Sequence, residues 1–450
     1  MSLLLDLFYV LVLSLASPWI LYRLASGRTW KLVPQRLGIG LDGEPRGCLW
    51  LHGSSVGEVS LLRPLVAMLE RDLPQLELVI SSYTQTGLAA ARASYPQHRV
   101  VVFPLDFSFV VRRFLRKLEP RLVVIVESEL WPNFLAVTRR HGIPTAVING
   151  KMSQKSFGIH RRTRLIARGL SSLSVLAVQT DEHARRFGDL GVAKEAIRVT
   201  GNMKYDLAAP RGEAGVRTEL RAALSFRPDE IVVIGGSLHP GEDLALLEAF
   251  VALLNDRGRC ALILVPRYPA DVELVARHVR DAGHELVLKS AVDRGAAAPG
   301  SRGVLVVDTV GELNRLYAAA DVAFVGGSLF YRGANKGGHN LMEPAILGLP
   351  VLFGPYNFSF KETVADLLAV GGGVLARNGA ELGQALSALV ADDAARRRMG
   401  ERARSVVVRG QGATARNYAL IRDLLSAREA RLQAPGANRT MPQAARDTHV

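Results

Sequence analysis

The chain has 450 residues, of which 48% are hydrophobic, and its 56 lysines and arginines against 42 aspartates and glutamates give a formal net charge of +14. The apolar content excludes a disordered chain and the length predicts about two or three domains, while the two cysteines, Cys48 and Cys260, exclude a disulfide framework and fit a reducing compartment. The surplus of positive charge indicates an anionic partner, which nucleic acid, an anionic lipid surface or a phosphorylated substrate would each satisfy.

The amino terminus is apolar from residue 3 to residue 22, with Asp6 as its one charged residue, and four basic residues without an acidic one follow it. Such a run is just long enough to span a bilayer, and the basic flank places the bulk of the chain in the cytoplasm. We therefore expect residues 1–24 to form a membrane anchor, either spanning or monotopic. A cleaved signal peptide fits less well because its basic n-region is missing. A buried or interfacial helix stays open, since Asp6 and Pro18 both weaken a spanning helix.

Short β-branched runs alternate with helix-length amphipathic segments along the rest of the chain, a pattern typical of parallel sheets joined by crossover helices. The pattern predicts an α/β fold with one open sheet in each half. The predicted strands of the first sheet are residues 48–52, 76–81, 99–103, 122–127, 145–149, 175–179 and 197–200. Those of the second sheet are residues 231–235, 260–265, 285–288, 303–307, 322–325, 351–353 and 373–375.

A stretch without a strand signal separates the two halves, and it is rich in charge, alanine and glycine. We place the interdomain linker there, at residues 208–229. The prediction is thus a Rossmann-like, doubly wound domain over residues 25–207, a second one over residues 230–430 and a disordered tail over residues 431–450. Two such domains facing each other create a cleft at the carboxyl ends of their strands, where open α/β sheets bind ligands.

Several common catalytic motifs are missing from the sequence. It contains no Walker loop or HExxH motif, and no GxGxxG follows a predicted strand. ATP hydrolysis and zinc proteolysis therefore lose their usual sequence support. The basic residues are scattered rather than gathered with aromatic residues on one element, which argues against an RNA-binding module.

In the first half, three polar segments follow predicted strands: HGSSVGE (52–58), ESELWPN (127–133) and GNMKYD (201–206). Glu58 falls in the first helical turn after a glycine–serine turn and is a candidate base at the strand edge, although a first-turn acid that only favours the helix dipole has the same sequence.

Glu127 follows a continuous apolar strand, and we expect it or its neighbour Glu129 to point inward; the alternative is a capping acid beside a solvated one. Lys204 is a candidate for holding an anionic substrate group, with a surface lysine as the alternative.

In the second half, the prolines of VPRYP (265–269) fix a loop that presents Arg267, a residue suited to phosphate or carboxylate. The segment DTVGEL (308–313) opens a helix after a strand, so its backbone amides can contact a nucleobase edge or an anion.

The segment KGGHNLMEP (336–344) is the most informative of the second half. Its paired glycines permit close approach of backbone to ligand. Asn340 and Glu343 lie one helical turn apart and can hold the two hydroxyls of a ribose. His339 has no second ligand at a metal-binding spacing, so we expect no metal.

Together and in this order, these motifs resemble the 3-deoxy-D-manno-octulosonic acid (Kdo) transferases of lipopolysaccharide synthesis, with GGS (326–328) and GPYNF (354–358) as further markers. These are membrane-associated glycosyltransferases with the two-domain GT-B fold, and the resemblance runs from about residue 3 to about residue 425. It implies that Glu58 is the general base and that Glu127 and Lys204 support the transition state. It implies CMP contacts for Pro266, Arg267, Gly311, Glu312, Leu313, Asn340, Leu341, Met342 and Glu343.

The implied activity is inverting transfer of Kdo from CMP-Kdo to a hydroxyl of the lipid A precursor, lipid IVA, on the cytoplasmic face of the inner membrane. CMP-Kdo has a single phosphate, so neither a metal clamp nor another cofactor is expected, and nucleic acid is no longer needed to explain the charge. One departure is Lys151, where the family often has arginine, because lysine lacks the bidentate fork. The alternatives are another GT-B transferase or an epimerase that uses a UDP-sugar, and a binding protein on a degenerate transferase scaffold.

Overall fold

The computed structural model describes residues 2–15, 32–41, 46–164, 166–208, 215–257, 260–298, 302–333 and 337–433. The chain divides into two compact units. The first contains the residues up to Leu207 together with those from Gln411 onward, and the second contains Ala208–Gly410.

The first unit is built on a parallel seven-stranded sheet with the order β3-β2-β1-β4-β5-β6-β7. Its strands are β1 Leu49–His52, β2 Leu78–Ser82, β3 Arg99–Val102, β4 Leu122–Val126, β5 Thr145–Gly150, β6 Val175–Val178 and β7 Ile197–Val199. The register places His52 of β1 opposite Ser81 of β2 and Ile125 of β4. The carboxyl ends of β1, β2 and β4 therefore meet at one edge.

Helices cover both faces of this sheet. They are Ser2–Leu15, Val33–Arg36, Val56–Asp72, Gln85–Ser94, Ser108–Leu118, Pro132–Arg140, Gln154–Thr163, Ala167–Leu170, Asp181–Asp189, Lys204–Leu207 and Ala413–Gln433. Successive residues of β1 enter different cores, because Trp50 packs in one cluster with Phe114 whereas Leu49 and Leu51 pack in the other. A strand that is buried on both faces consists of a continuous run of apolar residues, and this pattern allowed the strands to be predicted from the sequence.

Helix starts follow the expected capping chemistry. Ser55, Thr84, Ser153, Thr180 and Asn378 each precede a helix and accept a hydrogen bond from a backbone N–H in its first turn. Such caps satisfy amides that have no partner within the helix.

The final helix corrects the predicted domain boundary at residue 430. Helix Ala413–Gln433 belongs to the first unit, where its Ile421 is buried with Leu49 of β1. Asp206 also accepts hydrogen bonds from the backbone N–H groups of Gly412 and Thr414, at 2.6 Å each. The second unit therefore ends at Gly410.

The predicted linker at 208–229 is also corrected in part. Helix Val216–Ala223 lies in the second unit, and residues 209–214 lie outside the described residues. Arg221 of this helix is buried and donates to the carbonyls of Ala319 at 3.0 Å and Glu230 at 2.6 Å, and to the carboxylate of Asp321 at 3.1 Å. The segment before β8 is thus an integral part of the second unit.

The second unit contains a parallel seven-stranded sheet with the order β10-β11-β9-β8-β12-β13-β14. Its strands are β8 Ile231–Leu238, β9 Cys260–Pro266, β10 Leu286–Leu288, β11 Val304–Val306, β12 Val322–Val325, β13 Val351–Phe353 and β14 Gly373–Leu375. Its helices are Val216–Ala223, Glu242–Arg257, Val272–Asp281, Lys289–Asp293, Leu313–Leu316, Met342–Ile346, Lys361–Ala369, Gly379–Ala391 and Asp393–Gly410. All fourteen predicted strands are therefore confirmed, seven in each sheet.

The amino-terminal helix Ser2–Leu15 lies against the first unit. Asp6 accepts from the backbone N–H of Ser108 at 2.9 Å, and the Tyr9 hydroxyl donates to Asp106 at 3.0 Å. Residues 16–24 of the predicted anchor and 434–450 of the predicted tail lie outside the described residues. Within the described ranges, no helix has both the length and the apolar character that crossing a bilayer requires.

Candidate functional site

The turns after β1 and β2 are joined at the edge of the first sheet. The carbonyl of Ser54 accepts hydrogen bonds from Ser82 Oγ at 2.9 Å and from Thr84 N and Oγ1 at 3.0 Å each. Gly87 is required beside them, since a Cβ there would lie 2.3 Å from Ser82 Oγ. The turn that precedes Glu58 is therefore fixed by its neighbours.

Glu58 is held in a cap at the start of helix Val56–Asp72. Its Oε2 accepts from the backbone N–H of Ser54 at 2.7 Å, and its Oε1 accepts from the Ser55 hydroxyl at 3.0 Å. The backbone N–H of Glu58 in turn donates to Ser55 Oγ at 3.4 Å. This is a reciprocal arrangement of the capping-box type, so the capping alternative describes the geometry correctly.

The cap does not exhaust what Glu58 can do. Its pKa is raised to about 7, mainly by burial and also by the charges of Glu127 and Glu129, while the hydrogen bonds from Ser54 and Ser55 oppose the rise. A carboxylate with this pKa can accept a proton at neutral pH, as a general base must.

Glu127 lies at the same edge in a strained conformation. Its φ of 63° is in the left-handed region, which is uncommon for a residue with a side chain. The side chain is largely buried, and its Oε2 lies 2.7 Å from Lys151 Nζ. The sequence had identified Lys151 only as a departure from the family pattern; its position directly after β5 was the signal for its place beside Glu127.

Asn149 connects this cluster to the segment that carries Lys204. It is fully buried with a φ of 53°, and its Oδ1 accepts from the backbone N–H of Met203 at 2.9 Å. Lys204 starts helix Lys204–Leu207, and its backbone N–H donates to Asn202 Oδ1 at 3.0 Å. The ends of β1, β4, β5 and β7 thus hold the polar motifs predicted for the first unit.

A cavity in the second unit brings together four of the predicted CMP contacts. Pro266, Arg267, Gly311 and Leu313 line a volume of about 130 Å³ at the carboxyl ends of β9 and β11. The backbone N–H of Arg267 donates to the carbonyl of Leu238 at 2.8 Å, which fixes its loop to the end of β8.

Glu312 is also in this segment, but its carboxylate is engaged within the protein. It accepts from the Thr309 hydroxyl and lies 3.4 Å from the ammonium group of Lys289. Lys289 itself is buried and bridges to Asp293 at 2.6 Å. Glu312 therefore has its backbone, rather than its carboxylate, to offer a ligand.

The predicted ribose pair forms a hydrogen bond at the start of helix Met342–Ile346. Asn340 Nδ2 donates to Glu343 Oε1 at 3.0 Å, and Asn340 Oδ1 accepts from the backbone N–H of Met342 at 3.1 Å. The side chains of Leu341 and Met342 are buried, so only their backbone can meet a ligand. Glu343 also acts on Tyr317, whose pKa is raised mainly by burial and to a smaller extent by the charge of Glu343.

The sequence motifs did not single out Glu242, which the structure shows to be a central residue of the second unit. The side chain is almost fully buried and accepts from four backbone N–H groups, those of His239 at 2.9 Å, Gly327 at 2.7 Å, Ser328 at 2.9 Å and Leu329 at 2.9 Å. It joins the loops that follow β8 and β12. An acid at the start of a helix is too common for sequence reasoning to single it out.

Comparison with known proteins identifies similar chains. Residues 31–207 match a family model described as 3-deoxy-D-manno-octulosonic-acid transferase (kdotransferase). The 3-deoxy-D-manno-octulosonic acid transferase of Haemophilus influenzae is 32% identical over 85% of this chain and 88% of its own. The transferase of the same name from Bordetella pertussis is 34% identical over 89% of this chain and 94% of its own.

Among solved structures, the HepE protein of Anabaena in complex with UDP superposes with a TM-score of 0.54 at 15% identity. The superposition covers 84% of this chain and 99% of that one. At this identity the likeness concerns the fold alone, which is GT-B-like, with two parallel seven-stranded sheets.

Proposed function

The chain belongs to the family of 3-deoxy-D-manno-octulosonic acid (Kdo) transferases, and on this premise we propose how it divides the reaction between its two units. It is a glycosyltransferase that transfers Kdo from CMP-Kdo in lipopolysaccharide core biosynthesis. In the proposal, the first unit supplies the general base and the second unit holds the CMP moiety. The acceptor is a hydroxyl of the lipid A precursor, lipid IVA, and the transfer inverts the configuration of the sugar.

The position and the raised pKa of Glu58 are the observation on which this proposal rests. Its oxygens are fixed by Ser54 and Ser55, and burial raises its pKa to about 7. The carboxylate takes the proton of the acceptor hydroxyl while the hydroxyl oxygen forms a bond to the anomeric carbon of Kdo. The bond from that carbon to the phosphate oxygen breaks, and CMP leaves with the electron pair.

Glu127 and Lys204 support the transition state in this proposal. Sugar transfer develops positive charge on the ring, which a nearby carboxylate such as Glu127 stabilises. Lys204 attracts an anionic group of the substrate. Two contacts support this assignment. Asn149 holds the segment of Lys204 at the end of β5, and Lys151, at the same strand end, contacts Glu127.

The donor nucleotide occupies the second unit in this proposal. The cavity lined by Pro266, Arg267, Gly311 and Leu313 takes the base, which contacts the backbone of residues 311–313. Asn340 to Glu343 take the ribose, and the guanidinium of Arg267 stabilises the charge that develops on the leaving phosphate. The cleft predicted between the two domains stays a prediction.

We also propose that the protein works at the cytoplasmic face of the inner membrane through a monotopic surface. Helix Ser2–Leu15 exposes Leu4, Leu7, Phe8, Val10, Leu11 and Leu15. Helix Ser108–Leu118, which Asp6 contacts, exposes Phe109 and three arginines, Arg112, Arg113 and Arg116. Apolar side chains beside arginines favour an interface of anionic lipids, where the acceptor resides.

Flotation with phosphatidylglycerol-containing vesicles tests this surface. The double variant Leu7→Glu/Leu11→Glu places two charges on the exposed face and is expected to lose most of its vesicle binding. Val251→Glu in the second unit, also at an exposed apolar position, is the matched control. Unchanged flotation of the double variant would place the membrane contact elsewhere.

Transfer itself is tested with purified protein, lipid IVA and CMP-Kdo generated in place. Mass spectrometry of the lipid is expected to show added Kdo, and the number of added sugars follows from the same spectrum. A Glu58→Gln sample run in parallel is the control for activity carried over from the expression host. Inhibition by UDP that exceeds inhibition by CMP would instead favour a transferase or epimerase that uses a UDP-sugar.

A further inference from the structure

In the loops that follow β8 and β12, four backbone N–H groups already donate hydrogen bonds within the protein. Glu242 accepts the N–H groups of His239, Gly327, Ser328 and Leu329. A carboxylate offers about four lone-pair positions, so this set is complete. The glycine-rich turn after β12 therefore cannot use these N–H groups to bind a phosphate, and an anion at this edge must find other donors.

Two histidines lie next to this turn and form a pair. Their Nε2 atoms are 2.9 Å apart, and the rings are nearly parallel, with an interplanar angle of 8° and centroids 5.2 Å apart. His239 follows β8, and His339 belongs to the loop before helix Met342–Ile346, 100 residues later. Neither was assigned a role from the sequence.

The pair is held rigidly by the loops around it. A Cβ on Gly327 would lie 2.8 Å from His339 Cδ2 and 3.3 Å from His239 Cδ2, so the bare glycine backbone packs against both rings. The backbone N–H of Gly338 donates to the carbonyl of Gly327 at 2.7 Å, which fixes the His339 loop to the same turn.

The position of the shared proton follows from burial. His239 Nδ1 is buried and has no hydrogen-bond partner among the described residues. A proton there would be a buried donor without an acceptor, which is costly. His239 therefore carries its proton on Nε2 and donates to His339 Nε2, and the half-buried His339 presents its Nδ1–H to a ligand.

The surroundings of the pair are cationic. Burial, together with the charges of Arg267 and Arg332, lowers the pKa of both histidines, and that of His339 is about 4. Glu242 and Asp271 act in the opposite direction on His239. Tyr268 contacts the edge of the His239 ring with centroids 5.6 Å apart. Two neutral imidazoles beside two arginines form a site that an anion would complete.

We propose that the His239–His339 pair, together with Arg267, binds the phosphate of the donor nucleotide. This rests on the proposed function, in which the second unit holds CMP, and it adds the residues that recognise the phosphate. A phosphate oxygen accepts from His339 Nδ1–H, and the guanidinium of Arg267 donates to a second oxygen. Arg267 lines the base cavity and its charge acts on His339, so in this proposal it contacts both the base and the phosphate.

Binding by this route leaves the pair neutral. A further proton would have to sit on the buried Nδ1 of His239, which has no acceptor among the described residues, or between the two Nε2 atoms, where it would break their hydrogen bond. CMP binding therefore takes up no proton through the pair at neutral pH.

The test is calorimetry on the full chain with two ligands that differ only in the phosphate, CMP and cytidine. Titrations in buffers of different ionisation enthalpy give the number of protons taken up. In His339→Leu, we expect the affinity for CMP to fall roughly 10- to 100-fold, the effect of losing hydrogen bonds to a charged group, while the affinity for cytidine changes less than about twofold. The number of protons taken up with CMP should be the same in the variant and in the wild type.

Two further variants keep the result interpretable. His339→Asn retains an N–H donor near the position of Nδ1, so it should recover part of the CMP affinity. His284→Leu removes a histidine that precedes β10, at the opposite edge of the same sheet, and should bind CMP as the wild type does.

The outcomes separate this inference from the proposed function. An unchanged ratio of CMP to cytidine affinity in His339→Leu overturns the phosphate site while leaving nucleotide binding intact. Failure of the wild type to bind CMP overturns the proposed donor site and this inference together. A loss of affinity for free Kdo rather than for CMP would assign the pair to the carboxylate of the sugar and also overturns the inference.

Discussion

Two glutamates at the carboxyl edges of the two sheets are both fixed by hydrogen bonds, yet they differ in what they can do. Glu58 accepts one backbone N–H and one hydroxyl, and burial raises its pKa to about 7. Glu242 accepts four backbone N–H groups from two loops. The difference shows that the number of donors around a carboxylate separates a group that can exchange a proton from one that holds loops together.

The largest expected effect comes from Glu58→Gln, which tests the half of this comparison that concerns proton exchange. The amide keeps the shape of the side chain but cannot act as a base, so kcat should fall by about 10²- to 10⁴-fold. Steady-state transfer to lipid IVA measures the loss. The affinity for CMP, and the midpoint of thermal unfolding below pH 4.5, where Glu58 is protonated, should stay close to those of the wild type, and near-normal turnover would remove Glu58 from the mechanism.

Glu242→Gln tests the other half of the comparison. An amide places its own N–H groups against some of the four donors, so buried N–H groups lose their acceptor and the folded state loses about 2–4 kcal/mol. Denaturant unfolding measures this loss, and CMP affinity should fall with it because the loops after β8 and β12 are released. A variant as stable as the wild type would show that the four hydrogen bonds do not hold these loops.

The pH dependence of transfer sharpens the contrast. Because Glu58 must be deprotonated to act, kcat/KM should rise about tenfold per pH unit below pH 7 and level off above it. The free energy of unfolding should change in the opposite direction and fall as the pH rises. The folded protein holds this proton more tightly than an unfolded glutamate of pKa 4.5, so the contribution of Glu58 to stability is lost as the pH rises from 4.5 to about 7.

Glu58→Gln supplies the control for the stability arm of that experiment. The variant should lack the decline in stability that the wild type shows across this interval. A decline of equal size in the variant would assign it to other groups.

The smallest expected effect concerns Lys151, which contacts Glu127 at 2.7 Å. Lys151→Met leaves the charge of Glu127 uncompensated, and that charge already raises the pKa of Glu58. The midpoint of the pH–rate profile should move to higher pH, and kcat/KM at pH 6.5 should fall about two- to fivefold. Lys151→Arg keeps the cation and should hold the midpoint at the wild-type value, so equal shifts in both variants would contradict this explanation.

Only part of the candidate site could be predicted from the sequence, and the residues of the second unit show the reason. The cavity that collects Pro266, Arg267, Gly311 and Leu313 agrees with motifs that each follow a strand. Glu312 shows the limit, since a motif does not reveal that its carboxylate is occupied by Lys289. The end of a strand can be predicted from the local sequence, whereas the partner of a side chain can lie in a different part of the chain.

The sequence by itself determined the fourteen strands, the edges at which the polar motifs lie and the family, because apolar runs and strand-end motifs are local patterns and parallel strands bring their ends to one edge. Only the tertiary structure decided that the last helix returns to the first unit, that Asp6 caps helix Ser108–Leu118, and that His239 meets His339. Each of these is a contact between distant segments. Helical periodicity specifies that a face will be buried, but not which surface buries it.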